Sequence, residues 1–374
     1  MDKVEKTTNW HNPDISLKQG RYTIKKKLSD EGKYCIIYLA EDIEQKKLVT
    51  IKTLKDTVLL FDNNQQIRNE FKNEIDRLCY INSKLTDKND IFNNIVHHKD
   101  IFTIKVRAFE IICLVMEYID GNSLEKLVEE QVSITGHKVL DETKALDYIS
   151  QVGKALTFVH ENNLLHLDVN PKNIMIRSDI DKPVLIDFGT ARFISNYSQV
   201  VGFTRGYAPP EQCKESNDDL RAFMDVYALA ATLYYLLTGK DPVDAPKREK
   251  NCPLKEPQEI NNNVSDNVNQ AIIKGMALQA SECPQTVKEW LELLNKYDAN
   301  DLINSPDKLK EVITLFNEDD LNYLLNIYHK KVYEELKEKT KQEQIKTLIY
   351  KLQGEKDTKY LIDKMKYLKP EYFT

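Results

Sequence analysis

The hydrophobic pattern of this chain changes period about a third of the way along, and that change limits the folds open to it. Between Gly20 and Val115, the segments Tyr34 to Ala40 and Leu48 to Leu54 are rich in β-branched and aromatic residues, and Ile111 to Met116 is a short apolar run. Such runs predict strands. Phe71, Ile75, Leu78 and Ile81 recur at helical spacing, so the region reads as a small sheet carrying one helix. From Gly121 to Leu294 the spacing is mainly helical, as in Leu146, Ile149, Val152, Leu156 and Val159. Short strands interrupt it around Ile174-Met175-Ile176 and Val184-Leu185-Ile186. Strands followed by helices predict an α+β class. At 374 residues, 41% of them apolar, the chain is large enough for two or three packed lobes.

Beyond Leu294 the composition shifts to Lys, Glu and Leu. Four amphipathic stretches follow: Leu309 to Phe316, Leu321 to Tyr328, Ile345 to Leu352 and Tyr360 to Leu368. Pro306 behind Ser305 and a Thr340-x-x-Glu343 capping box mark two helix starts. Prolines and an Asn run within Lys247 to Asn269 predict a long surface loop.

Charge and apolar runs exclude several roles. The 53 Lys and Arg against 59 Asp and Glu give a net charge of −6, which supplies no basic field for nucleic acid. The longest apolar candidate, Val226 to Leu237, is shorter than the roughly 18 residues of a membrane span and predicts a buried helix. The opening Met1 to Lys6 has no apolar core of a signal peptide, so a cytoplasmic protein with no membrane partner is expected. Cys35, Cys79, Cys113, Cys213, Cys252 and Cys283 include no close pair to chelate zinc or run redox chemistry.

The residues that carry chemistry come in a particular order. Lys52 lies on a predicted strand and Glu74 on the helix after it. Then follow His166-Leu167-Asp168, Asn173, Asp187-Phe188-Gly189, Ala208-Pro209-Pro210-Glu211, and Asp225 opening an apolar helix. Any one of these is weak; the ordered set, from about Gly20 to Leu294, resembles the eukaryotic-like protein kinases. Gly206 to Gln212, Asp225 to Leu229 and Leu236 to Pro242 resemble the prokaryotic, especially cyanobacterial, Ser/Thr branch, and Thr204 matches the Thr that favours Ser/Thr substrates.

The resemblance implies a bilobal kinase fold followed by a small all-α domain. The expected division is a polar tail 1–16, a kinase domain 17–296 (N-lobe 17–118, C-lobe 119–296), a linker 297–307 and a helical domain 308–374. It further implies ATP and Mg²⁺ as cofactors and a protein hydroxyl as substrate. Phosphoryl transfer is mainly positioning and charge neutralisation, so Lys52 would hold the α and β phosphates and Glu74 would hold Lys52. Asp187 and Asn173 would supply Mg²⁺ with oxygens, and Asp168 would orient the substrate hydroxyl. Met116 would be the gatekeeper, the backbones of Glu117 and Ile119 would meet the adenine edge, and Ile37 and Met175 would sandwich its faces.

Several positions depart from the pattern. The phosphate loop, Asp30-Glu31-Gly32-Lys33-Tyr34-Cys35-Ile36-Ile37, keeps only the middle glycine, Gly32. A Cβ at the other two restricts the backbone, and Asp30 and Glu31 repel phosphate, so weaker nucleotide affinity is expected. Leu167 replaces the Arg that pairs with a phosphorylated activation segment. Asn170 stands where a Lys neutralises the γ-phosphate, and Lys172 is expected to substitute. Cys283 replaces the Arg that pairs with Glu211. The alternative class is a pseudokinase scaffold acting through protein contacts; a small-molecule kinase is disfavoured by the Ala-Pro-Pro-Glu segment. The final helices resemble death-like effector-associated domains, which implies a homotypic helical partner for 308–374; the alternative is a family-specific helical extension of the preceding lobe.

Overall fold

The computed structural model describes residues 14–30, 32, 34–59, 65–89, 91–106, 109–135, 138–194, 202–214, 220–294, 302, 306–328, 340–351 and 355–369. Most of the expected N-terminal tail and linker, and Glu31 and Lys33 of the phosphate loop, lie outside the described residues. The chain divides into two compact units, Met1–Asn261 with Ile272–Val287, and Asn262–Ala271 with Lys288–Thr374.

The first unit opens with an antiparallel sheet of six strands: β1 (Ser16–Leu17), β2 (Tyr22–Ser29), β3 (Cys35–Asp42), β4 (Lys47–Leu54), β5 (His98–Val106) and β6 (Phe109–Glu117). Their order is β1-β2-β3-β4-β6-β5. After the short α1 (Asp56–Leu59), α2 (Gln65–Lys84) buries Phe71, Ile75, Leu78 and Ile81. Glu74 lies on the same stripe, three residues after Phe71 and four before Leu78. Burying the apolar face therefore buries this carboxylate too.

The helical part comprises β7 (Gly121–Ser123), α3 (Leu124–Thr135), α4 (Glu142–Glu161), β8 (Leu164–Leu165), β9 (Ile174–Arg177), β10 (Lys182–Leu185), β11 (Arg192–Phe193) and α5 (Phe223–Thr238). Short sheets β10-β9-β7 and β11-β8 carry the loops between α4 and α5. All sixteen residues of α5 are buried, so the apolar run is a core helix. It ends at Gly239, whose φ is +65° and where a Cβ would sit 1.9 Å from the Lys138 carbonyl. Only glycine fits that cap. No helix among the described residues is long and apolar enough to cross a membrane.

The stretch Lys247 to Asn269 is not the plain loop its prolines predict. It contains part of α6 (Ala245–Arg248), α7 (Pro257–Ile260) and the start of α8 (Asp266–Gly275). Both short helices carry Pro in the first turn, where the missing N–H costs nothing and the fixed φ helps.

In the second unit, α9 (Val287–Leu294) contributes Trp290, whose indole N–H donates to the Ala271 carbonyl at 2.8 Å. Among the described residues that follow are α10 (Pro306–Leu315), α11 (Glu318–Tyr328), α12 (Lys341–Lys351) and α13 (Glu355–Leu368). They share an apolar cluster built from Val312, Ile313, Phe316, Leu324, Leu348 and Ile362 among others. At the start of α12 the Thr340 N–H and hydroxyl reach Glu343 Oε2 at 3.1 and 3.0 Å, and the Glu343 N–H returns to Thr340 Oγ1 at 3.4 Å. This is the capping box read from the sequence.

Candidate active site

Strand register places the first cation. Lys52 on β4 is flanked by Ile37 on β3 and Leu114 on β6, and its side chain is 8% exposed. Its ammonium lies 2.5 Å from Glu74 Oε1 and 2.9 Å from Asp187 Oδ1. Burial works against that charge, but Asp187 and Glu74 outweigh it and hold the Lys52 pKa well above the ordinary lysine value.

Asp187 follows β10 in a left-handed conformation, φ +62°. Burial opposes its charge, yet Lys52 and the Gly189 N–H, 3.1 Å from Oδ1, keep its carboxyl below the usual range. Its side chain stays 42% exposed. Space at Gly189 is tight: a Cβ there would sit 3.1 Å from Asp187 Oδ1 and 3.4 Å from Glu74 Oε2, so both carboxylates would have to give by a few tenths of an ångström.

Asp168 is held by neutral donors. Thr204 Oγ1 donates to its Oδ1 at 2.6 Å and Asn173 Nδ2 to its Oδ2 at 2.9 Å. Burial pushes its carboxyl up, and these two hydrogen bonds only partly offset that. Asn170 is buried and binds the loop in three places. Nδ2 reaches the Asp168 carbonyl at 3.0 Å and Thr204 Oγ1 at 3.3 Å, while Oδ1 accepts from the Lys172 N–H at 3.0 Å. Lys172 points outward, 65% exposed and 3.5 Å from Glu125 Oε1.

The loop carrying Asp168 is fastened from below. Buried Asp225 accepts the His166 N–H at 2.9 Å, the Leu167 N–H at 2.7 Å and His160 Nε2 at 2.8 Å. Gln212 Nε2 donates to the Leu167 carbonyl at 2.6 Å. Leu167 has φ +63°, a conformation a branched residue adopts only when its surroundings enforce it. Neither the tie made by Gln212 nor the loop contacts of Asn170, expected only as a lost cation, is evident from the sequence. Their neighbourhood in Ala208-Pro209-Pro210-Glu211-Gln212 and beside Asp168 was the available signal.

The residues expected beside adenine lie on β3, β6, β9 and the chain after β6. Met116 faces Thr50 across β4 and β6, Met175 pairs with Ser123, Ile37, Met116 and Met175 are half-buried, and Ile119 is buried. The Glu117 N–H is spent on the His97 carbonyl at 2.9 Å, so its contribution to an adenine edge falls to the carbonyl. Its carboxylate pairs with Arg177 at 2.8 Å. Gly32 is exposed. Asp30 is ion-paired with Lys27, which softens the repulsion its sequence position predicts. Burial pushes the Cys35 thiol up to about 12, so it adds no negative charge to the loop.

Glu211 behaves as the missing Arg predicts: its Oε2 is buried with no hydrogen-bond partner among the described residues. The Cys283 thiol that replaces the Arg instead donates to the Gly275 carbonyl at 3.2 Å.

The donor set suits a hard divalent cation. The Asn173 amide nitrogen is committed to the Asp168 carbonyl and carboxylate, both at 2.9 Å, which leaves its oxygen as the ligand. Asp187 offers a half-exposed carboxylate. Beyond that pair, no cluster of three metal-binding side chains occurs among the described residues.

Comparison with known proteins bears on the family and the fold. Residues 22–309 match the family described as protein kinase domain. A probable serine/threonine-protein kinase of Clostridium acetobutylicum is 28% identical over 300 residues, covering 77% of this chain and 41% of that protein. Serine/threonine-protein kinase F of Synechocystis sp. is 36% identical over 137 residues, 35% of this chain and 26% of that one. The chain thus spans about two-fifths, or less, of the length of these curated relatives. The kinase domain of Mycobacterium tuberculosis PknI superposes with a TM-score of 0.55 at 21% identity, covering 76% of this chain and 98% of that one, and so shares the fold. Fold, site geometry and family match lead to one conclusion: the chain belongs to the protein kinase domain family.

Proposed function

We propose that this chain is a Ser/Thr protein kinase that transfers the γ-phosphate of ATP to a protein hydroxyl with Mg²⁺. The observation that carries the reading is the buried Lys52, 2.5 Å from Glu74 and 2.9 Å from Asp187. In this reading Lys52 binds the α and β phosphates while Glu74 fixes its direction. Asp187 and the Asn173 oxygen hold Mg²⁺, which supplies neutralisation of phosphate charge when bound. Asp168, its carboxyl raised by burial, accepts or orients the hydroxyl proton. Thr204, bound to Asp168 at 2.6 Å, supports the Ser/Thr preference. Met116, Ile37, Met175 and the backbone of Glu117 and Ile119 form the adenine site, and Gly32 lies over the phosphates.

A second reading has one observation behind it. Asn170 is committed to the loop and Lys172 is 65% exposed beside Glu125, an arrangement that suits a pseudokinase scaffold with no cation fixed at the γ-phosphate. The apolar cluster shared by α10, α11, α12 and α13 supports a helical interaction module, with a homotypic partner as the reading to test. We place the protein in the cytoplasm, with no nucleic acid or membrane partner.

Incubation of the full chain with labelled ATP, Mg²⁺ and a generic protein substrate, beside Asp187→Ala, tests the enzyme reading. Transfer by the wild type and a fall of about 10³-fold in the variant are expected. Equal background transfer by both, with a cognate partner also tried, overturns it.

A further inference from the structure

Two guanidinium groups lie buried behind the Asp187–Gly189 turn. Arg77 on α2 and Arg192 on β11 have side chains only 6% and 7% exposed. They converge on one carboxylate, Glu70, which sits one helical turn before Glu74. Glu70 Oε2 lies 3.2 Å from Arg192 and 3.7 Å from Arg77. Each arginine also directs Nη1 at the Gly189 carbonyl, at 3.4 Å in both cases. Gly189 is the residue whose N–H binds Asp187 and whose Cα sits close against the carboxylates of Asp187 and Glu74. The network therefore ties α2, the carrier of Glu74, to the turn that carries Asp187.

Two buried cations side by side need an anion. Burial, followed by the repulsion of Arg192, pushes the Arg77 pKa down to about 10, and Glu70 is the carboxylate that offsets both. Leu167, 2% exposed, occupies the position from which an Arg would engage a phosphorylated activation segment, so that route is closed. Resting on the kinase reading above, we propose that Glu70 is a positioning residue. Through Arg77 and Arg192 its carboxylate holds α2 and the Asp187 turn in register, and the Lys52–Glu74–Asp187 set is assembled without phosphorylation of this chain.

The test uses the full chain as wild type, Glu70→Gln, Glu70→Asp and, as a control, Glu44→Gln, whose side chain is 66% exposed. Glu70→Gln should lower kcat by about 10- to 100-fold while the KM for ATP stays within about twofold. Glu70→Asp keeps the charge and should recover most of the rate, and Glu44→Gln should match wild type. Phosphatase treatment of the wild type should leave its initial rate unchanged. In the nucleotide-free protein, backbone hydrogen exchange over α2 and residues 187–193 should quicken in Glu70→Gln.

Wild-type kcat and exchange in Glu70→Gln would overturn the proposal, as would Glu70→Asp being equally slow. A tenfold or greater loss of rate on phosphatase treatment would overturn its independence from phosphorylation. If the wild type itself transfers no phosphate, the kinase reading fails while the exchange measurement still decides whether Glu70 holds the two elements together.

Discussion

The surroundings of Lys52 and of Asp168 hold their charged groups in opposite ways. On the Lys52 side three charges are pressed together: an ammonium 8% exposed, a carboxylate 8% exposed and Asp187 reaching in from the turn. On the Asp168 side the carboxylate is held by Thr204 and Asn173, both neutral, and the nearby cation Lys172 is 65% exposed. The difference fits the roles proposed for the two sides. A group that receives phosphates has to keep its charge away from water before the nucleotide arrives, and only opposite charges at short range maintain that. A group that accepts a proton must stay receptive, and neutral donors orient it without pulling its pKa down as far as a cation would.

The largest expected effect is on the charged side. Lys52→Met leaves Glu74 and Asp187 facing each other with no cation between them. Transfer should fall by about 10³-fold, and denaturant unfolding should show a loss of about 3 kcal/mol, as for a broken buried pair. Wild-type stability with lost activity would mean that the pair serves catalysis alone.

Next comes the fastening beneath Asp168. Asp225→Asn cannot accept from His166 and Leu167 with two anionic oxygens, so stability should drop by about 2–3 kcal/mol at pH 7. The effect should depend on pH. The folded pKa of Asp225 is held down chiefly by its hydrogen bond to His160, against the cost of burial. Its contribution is therefore complete above the unfolded carboxylate value of about 3.9 and is lost as pH falls through the folded value. Unfolding curves of wild type and variant should converge in acid; a constant gap would assign the effect to packing.

The smallest effect concerns the exposed Lys172. Lys172→Ala should lower kcat by about tenfold with little change in ATP binding, less than for a buried donor because the ammonium is solvated. An unchanged kcat would remove Lys172 from the γ-phosphate role and sharpen the contrast between the two sides.

Much of this was legible from the sequence. The helix bearing Glu74 follows from Phe71, Ile75, Leu78 and Ile81, since a stripe that must be buried fixes which way Glu74 points. The buried α5 follows from a run with no charge after Asp225. The short helices in Lys247 to Asn269 were not legible, because Pro marks a turn and a first helical residue alike. Nor were Gln212 and the Glu70, Arg77 and Arg192 network. Glu70 and Arg77 share α2, but Gln212 meets its partner 45 residues away and Arg77 meets Gly189 more than 110 away, and no local period records such meetings.

The sequence by itself determined the class of fold, the order of its elements and the residue types at the candidate site, because periodicity and ordered motifs are properties of the chain read in one dimension. The tertiary structure alone decided how those residues are charged and held. It paired Asp30 with Lys27, turned Asn170 into a loop tie, set Lys172 outward and left Glu211 Oε2 buried without a hydrogen bond among the described residues. The reason is physical: burial and short-range charge contacts fix pKa and orientation, and both depend on distances in space rather than on spacing along the chain.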